Sequence, residues 1–300
     1  MEMDVPYNTH CYTFEELSYT KGFLDPSVDA TYIIHLKNNG RLTEIQDQLS
    51  SFQPTSTVYI VHNQGFKTCH KKLIEQISYQ DLTDAFLQCF KHADEQGYGS
   101  ILILEDDFIF SQEIKKQQHL DRVNSFLFEK NNEEFIYYLG CVPILIAPAT
   151  FDFQQYYSFK SLCTHAIIYS QKVRSATLNL NLKHWDVIIE RSIATRYLYY
   201  MPLCYQTFPE TENKQTWGEK DNIVISSIKS WTIKFLNMDK EPEPGYSRLY
   251  TLSKIFGVGL IYIVYSIIKF LFFMACIFIF FIKNKKEKSK VFAIYKNVII

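Results

Sequence analysis

The residues in this chain best placed to do chemistry are three consecutive carboxylates, Glu105, Asp106 and Asp107. They follow directly on the apolar run Ile101, Leu102, Ile103 and Leu104, which Gly97 and Gly99 precede. An unbroken β-prone run of that kind reads as a strand buried on both faces, as in a parallel sheet. Open α/β sheets bind ligands in the crevice beyond the carboxyl ends of their strands, which is where this run places its acids. Adjacent carboxylates repel one another. A cation offsets that repulsion, and oxygen ligands suit Mg2+ or Mn2+. The competing reading of the same string is a strand followed by an acidic, solvated turn.

The flanking pattern supplies a frame for such a site. Residues 31–36 are a β-prone run, Asn38-Asn39-Gly40 is a turn signal, and Leu42, Ile45 and Leu49 recur at helical spacing before Gln53-Pro54. Residues 57–62 form a second β-prone run, so the chain opens strand, helix, strand, the unit of a parallel sheet. Residues 79–95 carry apolar side chains at three- and four-residue spacing, a helix that Gly97 stops before the central strand. Helices are expected at 111–131, 171–180 and 185–194, and strands at 135–139, 165–170 and 197–205. Residues 1–30 read as an irregular lead-in and 143–157 as a loop or broken segment.

Formal net charge is −1, so no global basic field points to nucleic acid. With 47% hydrophobic and 16% aromatic residues, a sizeable core is available. The seven cysteines are scattered and form no CxxC pair, which argues against a secreted disulfide framework or a zinc site and for thiols in a reducing compartment. The first 20 residues lack a basic and an apolar region, so no signal peptide is read there. Residues 255–282 are almost wholly apolar, broken by Lys269, and exceed the roughly 20 residues needed to cross a bilayer. The charged, proline-containing stretch 239–254 reads as a linker between a globular part (1–238) and this segment, and 283–300 as a basic tail. The tail holds Lys283, Lys285, Lys286, Lys288 and Lys290, suited to anionic headgroups on a cytosolic face. Lack of a signal peptide would keep the globular part in the cytosol, whereas the positive-inside rule would put the tail there; both hold if the apolar segment is a re-entrant or interfacial helix bent near Lys269, and the alternative is that the charge rule is overridden.

Several of these pieces together resemble one family. Residues 32–36 with Arg41, the helix before a glycine turn, the strand ending Leu104-Glu105-Asp106-Asp107, the His-Ala-x-x-x-Ser strand at 165–170, His184-Trp185-Asp186, and Pro202 with Gln206 are similar to the family 25 glycosyltransferases, over about residues 32–225. That family includes lipopolysaccharide-modifying enzymes and collagen galactosyltransferases. Two departures are visible: Gln88-Cys89 stands where the family helix usually carries Ser-His, and His184-Trp185 replaces the proline before Asp186. The resemblance implies an α/β, GT-A-like (Rossmann-like) nucleotide-sugar-binding domain in which Asp106 and Asp107 hold Mn2+ or Mg2+ against the diphosphate of a UDP-sugar. A leaving nucleoside diphosphate gains negative charge, and a metal ion acts there as a Lewis acid.

The same resemblance gives roles to single residues, each with an alternative. Asp186 would take the proton of the attacking acceptor hydroxyl, with Trp185 raising its pKa or stacking on a sugar, or it caps a helix. His165 would bind metal or donor, or is a hydrogen-bonded structural histidine. Arg41 would contact the diphosphate, or is a solvated first-turn side chain. Glu105 would contact the ribose or is structural. The polar, aromatic stretch 208–213 with Trp217 and Gly218 is an acceptor lid or a plain surface loop. The expected activity is hexose transfer from a UDP-sugar to a hydroxyl of a glycan or protein by a membrane-anchored, inverting enzyme. The alternatives are an inactive scaffold or glycan-binding relative, and a different α/β enzyme with an acidic metal site, such as a phosphatase or nucleotidyltransferase.

Overall fold

The computed structural model describes residues 5–178, 185, 189, 194–207, 231, 233–238 and 242–298. They fall into two compact units, Met1–Lys254 and Ile255–Ile300. In chain order the first unit contains α1 (Val5–Asn8), a 3-10 turn (Thr9–Cys11), β1 (Tyr12–Ser18), β2 (Ala30–Leu36), α2 (Leu42–Ser51), β3 (Thr57–Asn63), α3 (Ser78–Glu95), β4 (Ser100–Glu105) and β5 (Phe108–Phe110). A 3-10 turn (Gln112–Lys115), α4 (Gln117–Lys130), β6 (Phe135–Pro148), β7 (Gln155–Ser170), α5 (Gln171–Leu178), β8 (Thr195–Tyr199) and β9 (Cys204–Gln206) follow. The last helix, α6 (Pro242–Val298), begins in the first unit and supplies the second.

The fold is mixed α/β. Seven strands form one sheet in the order β1-β3-β2-β4-β7-β6-β8, and β5 pairs with β9 in a small second sheet. β3, β2 and β4 are mutually parallel, so their carboxyl ends share one edge. β4 is the hinge of the topology: β2 runs parallel on one side of it and β7 antiparallel on the other. Its four apolar side chains are fully buried and alternate between layers. Ile101 and Ile103 pack on the α3 side, Leu102 and Leu104 on the side of α2 and α4. Burial of each such side chain contributes on the order of 2 kcal/mol. Asp106 therefore emerges toward α2, and Glu105 toward the opposite layer, as the period of two requires.

Several expectations change. The supposed irregular lead-in contains β1, which pairs antiparallel with β3 and closes the sheet edge. The supposed loop at 143–157 is the end of β6, a turn, and the start of β7; repeated register shifts between these strands hide the alternation on which a strand reading depends. Residues 242–254, expected as linker, are helical apart from a kink at Glu243 and belong to the globular unit, where Tyr246 and Tyr250 are buried. Last, Cys11 and Cys69 are joined in a disulfide, against the expectation of free thiols throughout. Their separation of 58 residues defeats any local spacing rule. Trp185 also differs: it is buried, stacks on Phe86 and donates its Nε1–H to the Tyr169 hydroxyl, so its ring belongs to the core and is not offered to a sugar.

In the second unit, the described apolar part of α6 is exposed; the helical stretch Pro242–Ile279, which begins in the first unit, is long and apolar enough to cross a membrane.

Candidate functional site

Three carboxylates leave the end of β4 and go three ways. Glu105 accepts the Thr164 hydroxyl of β7 at 2.6 Å. Asp106 is held by the turn between β2 and α2. Its Oδ1 pairs with the Arg41 guanidinium at 2.5 Å, and its Oδ2 accepts the Asn39 amide and the Leu36 backbone N–H. That turn is shaped by Gly40, whose φ of +82° is open to glycine, and by the Asn39 side chain, which accepts the Arg41 backbone N–H. Arg41 is thus no solvated first-turn residue; it is the partner of Asp106.

Asp107 turns inward. It is 6% exposed, and its Oδ2 accepts the Gln206 side-chain N–H at 2.9 Å. Its Oδ1 is buried and has no hydrogen-bond partner among the described residues, and neither has Oε1 of Gln206. Burial, with the charge of Asp106 adding to it, pushes the Asp107 carboxyl up to about 6. The small β5–β9 sheet sets this contact by pairing Phe108 with Gln206. Gln206, singled out in the sequence, comes to the site through β9 and touches Asp107, whereas Pro202 is buried just before that strand.

His165 lies in the same layer but is fully buried. Its Nε2–H donates to the Cys204 carbonyl at 3.4 Å, its Nδ1 is unpartnered among the described residues, and burial drives its pKa down to about 4. It is a neutral imidazole wedged against Gly140, where a Cβ would collide with the Cys204 carbonyl and lie 2.5 Å from His165 Nε2. The departure at Gln88-Cys89 also faces inward, both side chains being buried on α3. Asp186, the segment 208–213, Trp217 and Gly218 lie outside the described residues.

Two groups at this edge were not foreseen. His35 is buried at the end of β2. Its Nδ1 lies 3.2 Å from Nδ1 of His62, whose Nε2 meets Glu15 at 2.7 Å. Burial lowers the His35 pKa, and the Asp106 charge opposes that. Beyond β3, Lys71 is fully buried and donates to Asp81 at 2.5 Å, Asn63 at 2.7 Å and the Tyr12 hydroxyl at 2.6 Å, while Tyr12 donates to Asp84. Every charge in that cluster is paired, and with the Cys11–Cys69 disulfide it fastens the segment between β3 and α3 to the N-terminal residues. No motif announces either group, because their members come from separate elements.

Among the described residues, Glu105, Asp106 and Asp107 do not converge with other side chains into a compact set of three metal ligands; the set that does is His10, Cys11 and Cys69, whose sulfurs are bonded to each other. Asp107 still fits a cation. Its Oδ1 is a buried carboxylate oxygen without a donor, and an ion would satisfy it. Asp106 would join through a bridging water or by exchanging Arg41 for the ion. No family model matches the chain, and no curated protein matches it.

Proposed function

We propose that the globular unit is a metal-dependent glycosyltransferase with a GT-A-like architecture, moving a hexose from a UDP-sugar to a hydroxyl of a glycan or protein. The observation that carries this reading is the buried Oδ1 of Asp107 at the carboxyl end of β4, which has no hydrogen-bond partner among the described residues and lies one residue from an aspartate paired with arginine. A cation beside it would restore the ordinary acidity of Asp107. The parallel set β3-β2-β4, with α2 and α3 as its crossovers, supports a nucleotide-binding half.

Mn2+ or Mg2+, when bound, supplies Lewis-acid stabilisation to the departing diphosphate. The chain's own residues do the rest. Gln206 fixes the carboxylate plane of Asp107. Arg41 stands beside Asp106 with a planar fork suited to phosphate oxygens and is the proposed diphosphate contact. Glu105, tied to Thr164, is the proposed ribose contact. Asp186 remains the proposed base for the acceptor hydroxyl. Neutral, buried His165 supports the β9 segment and is not assigned to the donor.

One observation favours a second reading. Both oxygens of Asp106 are already satisfied by Arg41, Asn39 and Leu36, the condition expected of an inactive relative that serves as a scaffold. Titration calorimetry separates the two. The enzymatic reading expects UDP to bind in Mn2+ and to lose that binding in EDTA or in Asp107→Ala. Equal binding with and without EDTA would favour the scaffold.

The apolar α6 is proposed to anchor the protein in a membrane. The disulfide shifts the proposed side from the cytosolic one to an oxidising compartment. With the lysine-rich tail in the cytosol, that arrangement also satisfies the positive-inside rule.

A further inference from the structure

The turn between β6 and β7 and the strands beside it present exposed aromatic side chains. Phe151 is fully exposed at 105% and Phe153 is exposed at 55%. Tyr157 and Phe159, two residues apart on β7, are exposed on one face with their rings 6.4 Å apart, and Ile144 is exposed on β6. The turn is built to present them. Phe153 has φ +57°, a left-handed conformation that a bulky side chain rarely adopts. It is held there by its backbone N–H on the Thr150 carbonyl, while Asp152 Oδ1 accepts the Thr150 hydroxyl and the Gln154 backbone N–H.

This tip adjoins the place where the chain leaves the globular unit. The Tyr200 backbone N–H donates to the Gln154 carbonyl at 3.0 Å, and the Lys254 ammonium donates to the Tyr200 carbonyl at 3.0 Å. Ser253 donates to the Pro143 carbonyl, next to Ile144. Lys254 is the last residue of the unit, and the apolar part of α6 begins at Ile255. Basic side chains contact residues beside the turn, and the Asp152 carboxylate lies within it. Arg122 donates to the Gln154 side chain, Arg196 to the Phe159 carbonyl, and Lys160 is exposed between them in sequence.

We propose that the β6–β7 turn is a membrane-docking element that inserts Phe151 and Phe153 into the interface of the bilayer entered by α6. Exposed aromatic rings favour the headgroup level, where an apolar body and water meet. Several large apolar side chains exposed on one turn and its flanking strands call for a cover, and the apolar continuation of the same chain says what it is. The proposal rests on α6 being a membrane anchor.

The test is the full chain carrying Phe151→Trp, reconstituted in phosphatidylcholine–phosphatidylserine vesicles with brominated acyl chains. Tyr7→Trp, at the far N-terminal segment, and the wild type serve as references. Vesicle flotation is read first. If the chain floats and the Trp at 151 shows a blue-shifted, bromine-quenched emission that the references lack, the docking holds. If the chain floats and that emission stays water-like and unquenched, the docking is overturned while the anchor stands. If the chain does not float, anchor and docking fall together.

Discussion

Replacing Asp107 by Asn changes one atom type at the centre of the site and should separate stability from binding. The Asp107 carboxyl is lifted from 3.8 to about 6 in the folded protein. Its charged form is therefore disfavoured by folding. The penalty is absent below the unfolded pKa of 3.8, grows as pH rises through the interval up to about 6, and is constant above it. A displacement of that size corresponds to about 3 kcal/mol at neutral pH. Asn keeps the size of the side chain and removes the charge. Its new N–H2 can donate to Oε1 of Gln206, which has no partner among the described residues, so the existing contact is replaced and improved. Asp107→Asn should therefore raise the melting temperature by roughly 5–10 °C at pH 7, for a unit of this size, and by much less at pH 4. The assay is thermal unfolding by intrinsic fluorescence in detergent, from pH 4 to pH 8, with and without Mn2+. His165 titrates in an overlapping range with the opposite sign, but it contributes equally to both proteins and cancels in the difference. Added Mn2+ should raise the wild-type transition by mass action and leave that of Asp107→Asn unmoved. A variant less stable than wild type at pH 7, or stabilised by Mn2+ to the same degree, would refute the reasoning.

Further outcomes follow from the same geometry. Reducing Cys11–Cys69, or replacing Cys69 by Ser, releases a 58-residue loop and should cost about 4 kcal/mol, a fall of roughly 10 °C in melting temperature; a thermal scan with and without dithiothreitol checks it. Gly140→Ala forces a Cβ into the Cys204 carbonyl and His165, and should cost about 3 kcal/mol and weaken Mn2+ binding by displacing β9 from Asp107; denaturant unfolding and calorimetry read both. Arg41→Ala frees Asp106 and removes the proposed diphosphate contact. UDP affinity should fall about tenfold, the size of one charge-assisted hydrogen bond, while Mn2+ binding is kept, as measured by calorimetry.

The legible parts of the fold were those whose pattern is local. The buried run into Glu105, the helix over 78–95 and the apolar stretch of α6 each announce themselves by composition or period within one segment. β6 and β7 were harder, because their bulges break the alternation, and β1 was missed because an edge strand exposes one face and shows little apolar signal. At the site, the sequence singled out Arg41, Asp106, Asp107 and Gln206, and the structure brings these four to one edge of the sheet. It does so in two pairs, Arg41 with Asp106 and Gln206 with Asp107, which no spacing foretells. Asn39 was read only as a turn residue, although its side chain serves both the turn and Asp106. The disulfide and the Lys71 cluster were hidden for a related reason, since their members are distant in the chain and meet only once β1, β3 and α3 have packed.

The most direct measurement is UDP release by the full chain, with UDP-glucose, UDP-galactose and UDP-N-acetylglucosamine as donors, in Mn2+, in Mg2+ and in EDTA. The account predicts that at least one donor is cleaved in a divalent ion, that EDTA abolishes the release, and that Asp107→Ala abolishes it as well. Release that persists in EDTA, or no release from any of the three donors in either metal, would contradict it.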